Sequence, residues 1–415
     1  MAKYGCIAKK LTHSFSKEIH AKLADYEYEL MELNEDEIDN FFNKKEFNAI
    51  NVTIPYKQTV IPYLDTLSDV AKRIGAVNTI VNKDGKLYGY NTDYYGMKAL
   101  IEKIGIDIKD KKVLILGTGG TSKTARVLTK DMGANQVITV SRSKSEEYVT
   151  YEEAIKEHSD AQIIINTTPS GMYPDCDGVP IDISAFNLLE GVVDAVYNPL
   201  CTNLVLNARS RGIKAEGGLY MLVMQAVVAV EKFIDTEIDK TVADNVFASV
   251  LASKENIVLT GMPGSGKSTV GKSIDIDGFT FVDTDAEIEK HCGCSIKDLI
   301  TQRGEKYFRD IETEIIKNIT SKGCQIISTG GGAILREENV RYMKRNGKIF
   351  FINADFSRLY PTNNRPLSNT PDKLRNLYKE RIDIYKSTAD VIVPDMETPE
   401  KEAEFILKSR AELIL

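Results

Sequence analysis

Short apolar runs alternate with longer amphipathic stretches along most of the chain, the rhythm of an α/β protein. The first ~105 residues show it with short strands and helical stretches. Beyond them Lys112 to Leu116, Gln136 to Val140, Ala161 to Asn166 and Gly191 to Val196 read as strands. A long apolar segment, Leu219 to Phe233, reads as a helix with Gln225 inside it. That glutamine either takes a buried partner, a ligand being one candidate, or faces solvent. Charged and small residues fill Asp235 to Glu255, and a β-branched run, Ile257 to Leu259, begins a new pattern, which places a domain boundary near Lys254. No internal repeat and no low-complexity tract interrupts this order.

Length and composition narrow the classes. At 415 residues the chain has room for two to three cores, and 42% hydrophobic with 27% charged residues is an ordinary globular balance. A formal net charge of -7 with no basic block argues against a nucleic-acid surface, which needs clustered Lys and Arg. The start MAKYGCIAKK has no secretory core and no apolar run reaches the ~18 residues of a membrane span, so no membrane partner and a cytoplasmic location are expected. Six scattered cysteines read as reduced thiols. Cys292 and Cys294, beside His291, lack the second pair that a zinc site wants.

Two glycine loops carry the clearest chemistry. Asn256 to Thr269 reads NIVLTGMPGSGKST, strand then loop then helix, with Gly261, Gly264, Ser265, Gly266, Lys267, Ser268 and Thr269 forming a phosphate cradle. Backbone N–H groups there point at an anion, Lys267 reaches terminal phosphates, and the Ser268 hydroxyl can ligate Mg²⁺. The second loop follows Lys112 to Leu116 with Gly117, Gly119 and Gly120 and then Ser122, a small residue where a dinucleotide fingerprint often has its third glycine. The next strand ends in Ser141-Arg142-Ser143-Lys144, where an NAD enzyme offers an acid, and cations there suit the 2′-phosphate of NADP. Glu146 opposes that preference.

Other polar groups recur at strand ends: Ser14 and Ser16, Lys57 in the extended segment NVTIPYK whose Pro55 fixes Ile54, Asn78 in GAVNT, and Asp93 in NTDYYG. Their recurrence suggests one shared pocket. In VDTD, Asp283 and Asp285 stand two apart on an extended segment and so face the same way.

Across Met1 to about Ser253 the chain resembles shikimate dehydrogenases, through HSFS, NVTIPYK, GAVNT, NTDYYG, GTGGTS, NTTPSGM, DAVYNP and GGLYMLVMQA. From Asn256 onward it resembles shikimate kinases, through GMPGSGKST, VDTD, YFRDIE, STGGGAI and NNRPL. The first resemblance implies that Ser14 and Ser16 hold the shikimate carboxylate, that Thr53, Asn78, Asp93, Tyr197 and Gln225 surround the ring, and that Lys57 and Asp93 are the catalytic pair. Gly218 joins the NADP site. The second implies Mg²⁺ on Ser268 and Asp283, Asp285 as base at the substrate hydroxyls, and Arg309 and Arg381 on the carboxylate. Gly330, Gly331 and Gly332 lie close to the substrate, Arg358 over adenine, and Arg365 closes on the transferring phosphoryl group.

The fold implied is α/β in three lobes. Residues 1–105, completed by 219–250, form a substrate-binding lobe; 106–218 form an NADP-binding Rossmann lobe; 255–415 form a P-loop kinase domain with a parallel sheet. The activities implied are reduction of 3-dehydroshikimate to shikimate by NADPH, then phosphorylation of shikimate by ATP. A quinate-type dehydrogenase joined to a related kinase, or one half acting as a non-catalytic nucleotide sensor, are the alternatives, and a homo-oligomer stays open.

Overall fold

The computed structural model describes residues 4–11, 15–359 and 370–414. They divide into two compact units, Met1–Val250 and Leu251–Leu415. The first unit holds two six-stranded sheets. Strands β1 (Tyr4–Ala8), β2 (Tyr28–Glu32), β3 (Ala49–Val52), β4 (Thr66–Leu67), β5 (Thr79–Lys83) and β6 (Lys86–Tyr90) pair in the order β2-β1-β3-β5-β6-β4. β1 runs parallel to β2 and β3, while β5 and β6 form an antiparallel hairpin. Its turn is Asp84-Gly85, both with positive φ, the dipeptide that a tight hairpin of this hand demands. Alternate residues face opposite ways: Ile7, Ile50 and Ile80 enter one core, Cys6, Ala49 and Val81 the other. The extended segment expected over 51–57 stops at Val52, because the backbone N–H of Tyr56 donates to Thr53 O at 3.0 Å and closes a turn containing Pro55.

The second sheet is wholly parallel, with β7 (Lys112–Leu116), β8 (Gln136–Ser141), β9 (Val149–Thr150), β10 (Ile163–Asn166), β11 (Gly191–Asp194) and β12 (Lys214–Glu216) in the order β12-β11-β10-β7-β8-β9. Leu114, Leu116 and Ile164 pack on one face, Val113, Ile115 and Ile165 on the other. Burial on both faces explains why these strands read as continuous apolar runs.

The helix Leu219–Ile234 contributes Tyr220 and Met221 to a core of the second sheet, and Ala229 and Phe233 to a core of the first. It crosses the helix Asp93–Lys103 at Gly96, where a Cβ would overlap the Met221 carbonyl oxygen and come within 2.9 Å of Gln225 Cβ. Only glycine permits that approach, and it brings Asp93 and Gln225 to one place. Residues 240–254 are a further helix, Lys240–Lys254, whose buried Ala243, Val246 and Val250 keep helical spacing beneath the polar composition.

The second unit has one parallel sheet, β13 (Asn256–Thr260), β14 (Thr280–Asp283), β15 (Gln325–Ser328), β16 (Gly347–Asn353) and β17 (Val391–Pro394), in the order β14-β15-β13-β16-β17. Central β13 lies between β15 and β16, so the loop after it opens where the strand order reverses, the natural ligand crevice of such sheets. No described helix is long and apolar enough to cross a membrane.

Candidate active sites

In the first unit a cavity of about 590 Å³ is lined by Ser16, Thr53, Lys57, Asn78, Asp93, Tyr197, Gly218 and Gln225, residues drawn from helices and from the segments that follow or precede strands of both sheets. At its side Lys57 Nζ meets Asp93 Oδ2 at 2.5 Å, with side chains only 15% and 10% exposed. Asn78 Nδ2 donates to Asp93 Oδ1 at 2.9 Å and to Thr92 Oγ1 at 3.0 Å, and Asn78 Oδ1 accepts from the Thr92 N–H at 2.7 Å. One amide therefore clamps the residue pair that begins the helix Asp93–Lys103. Gln225 donates to Leu222 O at 2.9 Å in its own helix and its Oε1 lies 3.4 Å from Thr92 Oγ1, so it faces the cavity rather than solvent. Tyr197 packs its ring on Phe15 at 5.3 Å, and burial raises its phenol's pKa. Ser14 lies outside the described residues.

The dinucleotide loop reaches the same cavity. Gly117 takes a left-handed φ of 104°, Gly119 caps the helix Gly120–Asp131, and a Cβ on Gly120 would stand 3.8 Å from Lys57 Cδ. At Gly119 the space around a Cβ is open, and the buried Ser122 hydroxyl has no partner among the described residues, so the loop fits a pyrophosphate at the helix N-terminus. Gly218 abuts the Ala195 carbonyl at the cavity edge, where a Cβ would overlap it. Ser141 ends β8, with Arg142, Ser143 and Lys144 exposed beyond it. Lys144 is ion-paired with Glu153, whose other oxygen accepts from the Thr150 N–H at 2.9 Å and caps a helix. Arg142 makes no ion pair among the described residues.

In the second unit a cavity of about 480 Å³ is lined by Lys267, Ser268, Asp283, Asp285, Arg309, Gly330, Gly331, Gly332 and Arg381. Gly264 and Gly266 both take φ of 87°, which turns successive N–H groups inward. Lys267 begins the helix Lys267–Ser273, is buried, and donates to Gly261 O and Met262 O at 3.0 Å each. The buried Ser265 hydroxyl has no partner among the described residues, and Thr269 follows in the first turn. The loop fits a nucleotide's phosphates. Ser268 Oγ donates to Asp283 Oδ2 at 2.6 Å and lies 3.0 Å from Ser328 Oγ. One hydroxyl and one carboxylate suit Mg²⁺, which keeps waters and shares phosphate oxygens instead of needing a full protein cage.

Asp285 does not lie on an extended segment. β14 ends at Asp283, whose carboxylate accepts from the N–H groups of Asp285 and Ala286 at 3.0 and 3.3 Å and caps the helix Thr284–Cys292. Asp285 thus reaches the cavity from a helix's first turn, its Oδ1 within 2.6 Å of where a Gly330 Cβ would be. Arg309 Nη1 meets Glu312 Oε2 at 2.7 Å, and its guanidinium lies over Gly332. Arg381 Nη1 donates to Gly331 O at 2.8 Å, and burial lowers its pKa. Arg358 is pinned by Asp395 and by Met396 O at 2.9 Å. Arg365 lies outside the described residues.

Some contributors carry no sequence assignment above. Lys10, Thr121 and Met172 line the first cavity, and so does Cys6, whose thiol burial pushes up to about 12. Glu312 is fully buried in the second, its pKa raised by burial; the three-residue spacing from Arg309 on one helix was the available signal. Asp194, fully buried at the end of β11, accepts from Thr202 Oγ1, Asn166 Nδ2 and the Val196 N–H at 2.7, 2.9 and 3.0 Å; burial lifts its carboxyl to about 6.

A two-sheet unit with a dinucleotide loop against a lysine–carboxylate pair, followed by a phosphate-loop unit with a polar acid pocket, defines a dehydrogenase joined to a phosphotransferase. The family model for shikimate kinase matches residues 263–410, and that for the shikimate dehydrogenase substrate binding domain matches residues 6–80. A shikimate dehydrogenase (NADP(+)) of Clostridium beijerinckii is 38% identical over 262 residues, covering 59% of this chain and 96% of the relative. The chain belongs to the shikimate dehydrogenase family and carries a fused shikimate kinase domain, a bifunctional enzyme of the shikimate pathway. Among solved structures, shikimate dehydrogenase 1 of Peptoclostridium difficile is 35% identical with a TM-score of 0.56, over 60% of this chain and 98% of the other. A chorismate mutase/shikimate 5-dehydrogenase fusion protein of Clostridium acetobutylicum is 34% identical with a TM-score of 0.56, over 60% and 96%. The Thermus thermophilus enzyme in complex with NADP(H) and shikimate is 26% identical with a TM-score of 0.53, over 60% and 99%.

Proposed function

We propose that this chain reduces 3-dehydroshikimate to shikimate with NADPH in its first cavity and phosphorylates the 3-hydroxyl of shikimate with ATP in its second. The observation that carries the reading is the Lys57–Asp93 pair, 2.5 Å apart at a cavity wall that the dinucleotide loop also touches through Gly120. The nicotinamide supplies the hydride that reaches C3. Lys57 gives a proton to the C3 oxygen, and Asp93, held by Asn78, keeps the ammonium in place, the two titrating as one coupled pair. Ser14 and Ser16 hold the carboxylate, and Thr53, Asn78, Tyr197 and Gln225 surround the ring. Ser141, Arg142 and Ser143 receive the adenosine end, with Arg142 the main cation for a 2′-phosphate. The 1–105 and 106–218 segments act as lobes across this cleft.

In the kinase unit Arg309 and Arg381 pair with the carboxylate, and Asp285 takes the proton from the 3-hydroxyl. ATP supplies the phosphoryl group, and Mg²⁺ on Ser268 and Asp283 would screen its charge. Lys267 and Arg365 hold the phosphate oxygens, Arg358 offers its face to adenine, and Gly330 to Gly332 leave room for both ligands.

The test is one incubation of the full chain with 3-dehydroshikimate, NADPH, ATP and Mg²⁺, read by mass spectrometry. Shikimate 3-phosphate is the expected product, and omission of ATP stops the reaction at shikimate. Faster oxidation of quinate than of shikimate in the reverse direction, or a product lacking phosphate, overturns the reading.

A further inference from the structure

Tyr385 lies within the helix Pro371–Thr388, fully buried, and none of the catalytic steps above uses it. Its ring stacks on Phe351 at 5.0 Å and 4°, and Phe351 pairs in the sheet with Thr260, the last residue before the phosphate loop. The stack aims the phenol oxygen at two carbonyls from different loops: Gly261 O at 2.8 Å and Gly331 O at 2.5 Å. The phenol has one hydrogen, so it is shared between the two carbonyls as a three-centre bond that joins the nucleotide loop to the acid-binding loop. Burial keeps the phenol protonated through the physiological range.

Each of those carbonyls also accepts from a charged ligand-binding group. Gly261 O takes Lys267 Nζ at 3.0 Å, and Gly331 O takes Arg381 Nη1 at 2.8 Å. An ammonium has three N–H donors and a guanidinium five, so either cation can keep its carbonyl while reaching a ligand oxygen. A continuous hydrogen-bonded path therefore runs from Lys267 through Gly261, Tyr385 and Gly331 to Arg381.

We propose that the Tyr385 hydroxyl is a positioning group that fixes the separation of the two loops and couples occupancy of the nucleotide site to occupancy of the shikimate site. The proposal rests on the assignment of Lys267 to phosphate and Arg381 to carboxylate. A ligand that orders one loop orders the other through the phenol, so the second ligand has less ordering left to do, and the coupling is favourable. The spacing it sets is also the spacing between the acceptor hydroxyl and the γ-phosphate, on which in-line transfer depends.

The experiment is Tyr385→Phe in the full chain, which keeps the ring and its stack. ADP–Mg²⁺ affinity is measured calorimetrically with and without saturating shikimate, beside kcat for phosphorylation. In the wild type shikimate tightens ADP binding. In Y385F that tightening disappears and kcat falls between about twofold and tenfold, the worth of one neutral hydrogen bond. ADP affinity without shikimate stays within about twofold of wild type, since the bond acts between loops and not on the nucleotide. Retained tightening with an unchanged kcat overturns the proposal. So does an equal loss of ADP affinity with shikimate absent, which marks the hydroxyl as general support. A wild type that neither binds ADP nor phosphorylates shikimate instead brings down the site assignment, and the coupling with it.

Discussion

Replacing Lys57 with alanine separates chemistry from binding in the reductase. Removal of the ammonium takes away the cation 2.5 Å from Asp93 and leaves that carboxylate, 10% exposed, with the Asn78 amide at 2.9 Å as its remaining side-chain donor among the described residues. Two costs follow. A missing proton donor in such a reaction is worth about 10² to 10⁴ in turnover, or roughly 3 to 5 kcal/mol of barrier. A stranded, mostly buried carboxylate costs up to about 3 kcal/mol of stability, the lower end of the range for breaking a buried pair, because Asn78 persists and some water reaches it. Nicotinamide absorbance at saturating 3-dehydroshikimate gives turnover, and a titration of NADPH fluorescence gives cofactor affinity, which should stay within about threefold of wild type because no phosphate contact is lost. Phosphorylation of added shikimate by the same preparation serves as the internal control. Adding Asp93→Asn should recover stability but not turnover, because neither variant side chain is charged. Wild-type turnover in the Lys57→Ala chain would refute proton transfer through Lys57.

Three further outcomes follow from the geometry. Asp285→Asn should lower phosphorylation by about 10² to 10⁴ while 3-dehydroshikimate reduction continues, and a coupled ADP-release assay reads it; a smaller loss would move the base elsewhere. Arg142→Ala should shrink the preference for NADPH over NADH, as a ratio of kcat/KM, by roughly tenfold, the exposed-site share of a charge-assisted bond; an unchanged ratio would place the 2′-phosphate on another cation. Asp194 bears on pH: with a folded value of about 6 against 3.8, the folded chain keeps a proton that the unfolded chain releases, so stability falls as pH rises through that window. The gap converts to about 3 kcal/mol. Asp194→Asn does not titrate, so wild-type stability relative to the variant should drop between about pH 4 and pH 7 in denaturant titrations, and a flat difference would contradict the burial argument.

Much of the layout could be read from the chain because its signals are local. A glycine loop between an apolar run and a helix announces its fold within a dozen or so residues, so both nucleotide loops stand where the sequence puts them. Contacts formed across distance were opaque. VDTD has the same alternation whether Asp285 ends a strand or starts a helix, and the outcome is decided by Asp283 capping the next turn. Lys144 reads as a free cation until folding brings Glu153 against it. The side on which Gln225 faces is set by how two helices cross at Gly96, and no periodicity within either helix contains that. The Asp84-Gly85 hairpin was legible in principle, as a two-residue turn between apolar runs, but a general α/β rhythm conceals one antiparallel pair.

The spanning helix has a consequence for synthesis on the ribosome. One side of the N-terminal sheet, with Cys6, Tyr28, Ala49 and Val81, is closed by Ala229 and Phe233, which are translated long after β6. At ordinary elongation rates that interval is roughly ten to thirty seconds. During it the nascent sheet carries an uncovered oily surface while the intervening sheet is still being made. Holdase chaperones, or slow codons between residues 91 and 228, would act on that waiting period, and a chain released before the helix emerges would be the aggregation-prone species.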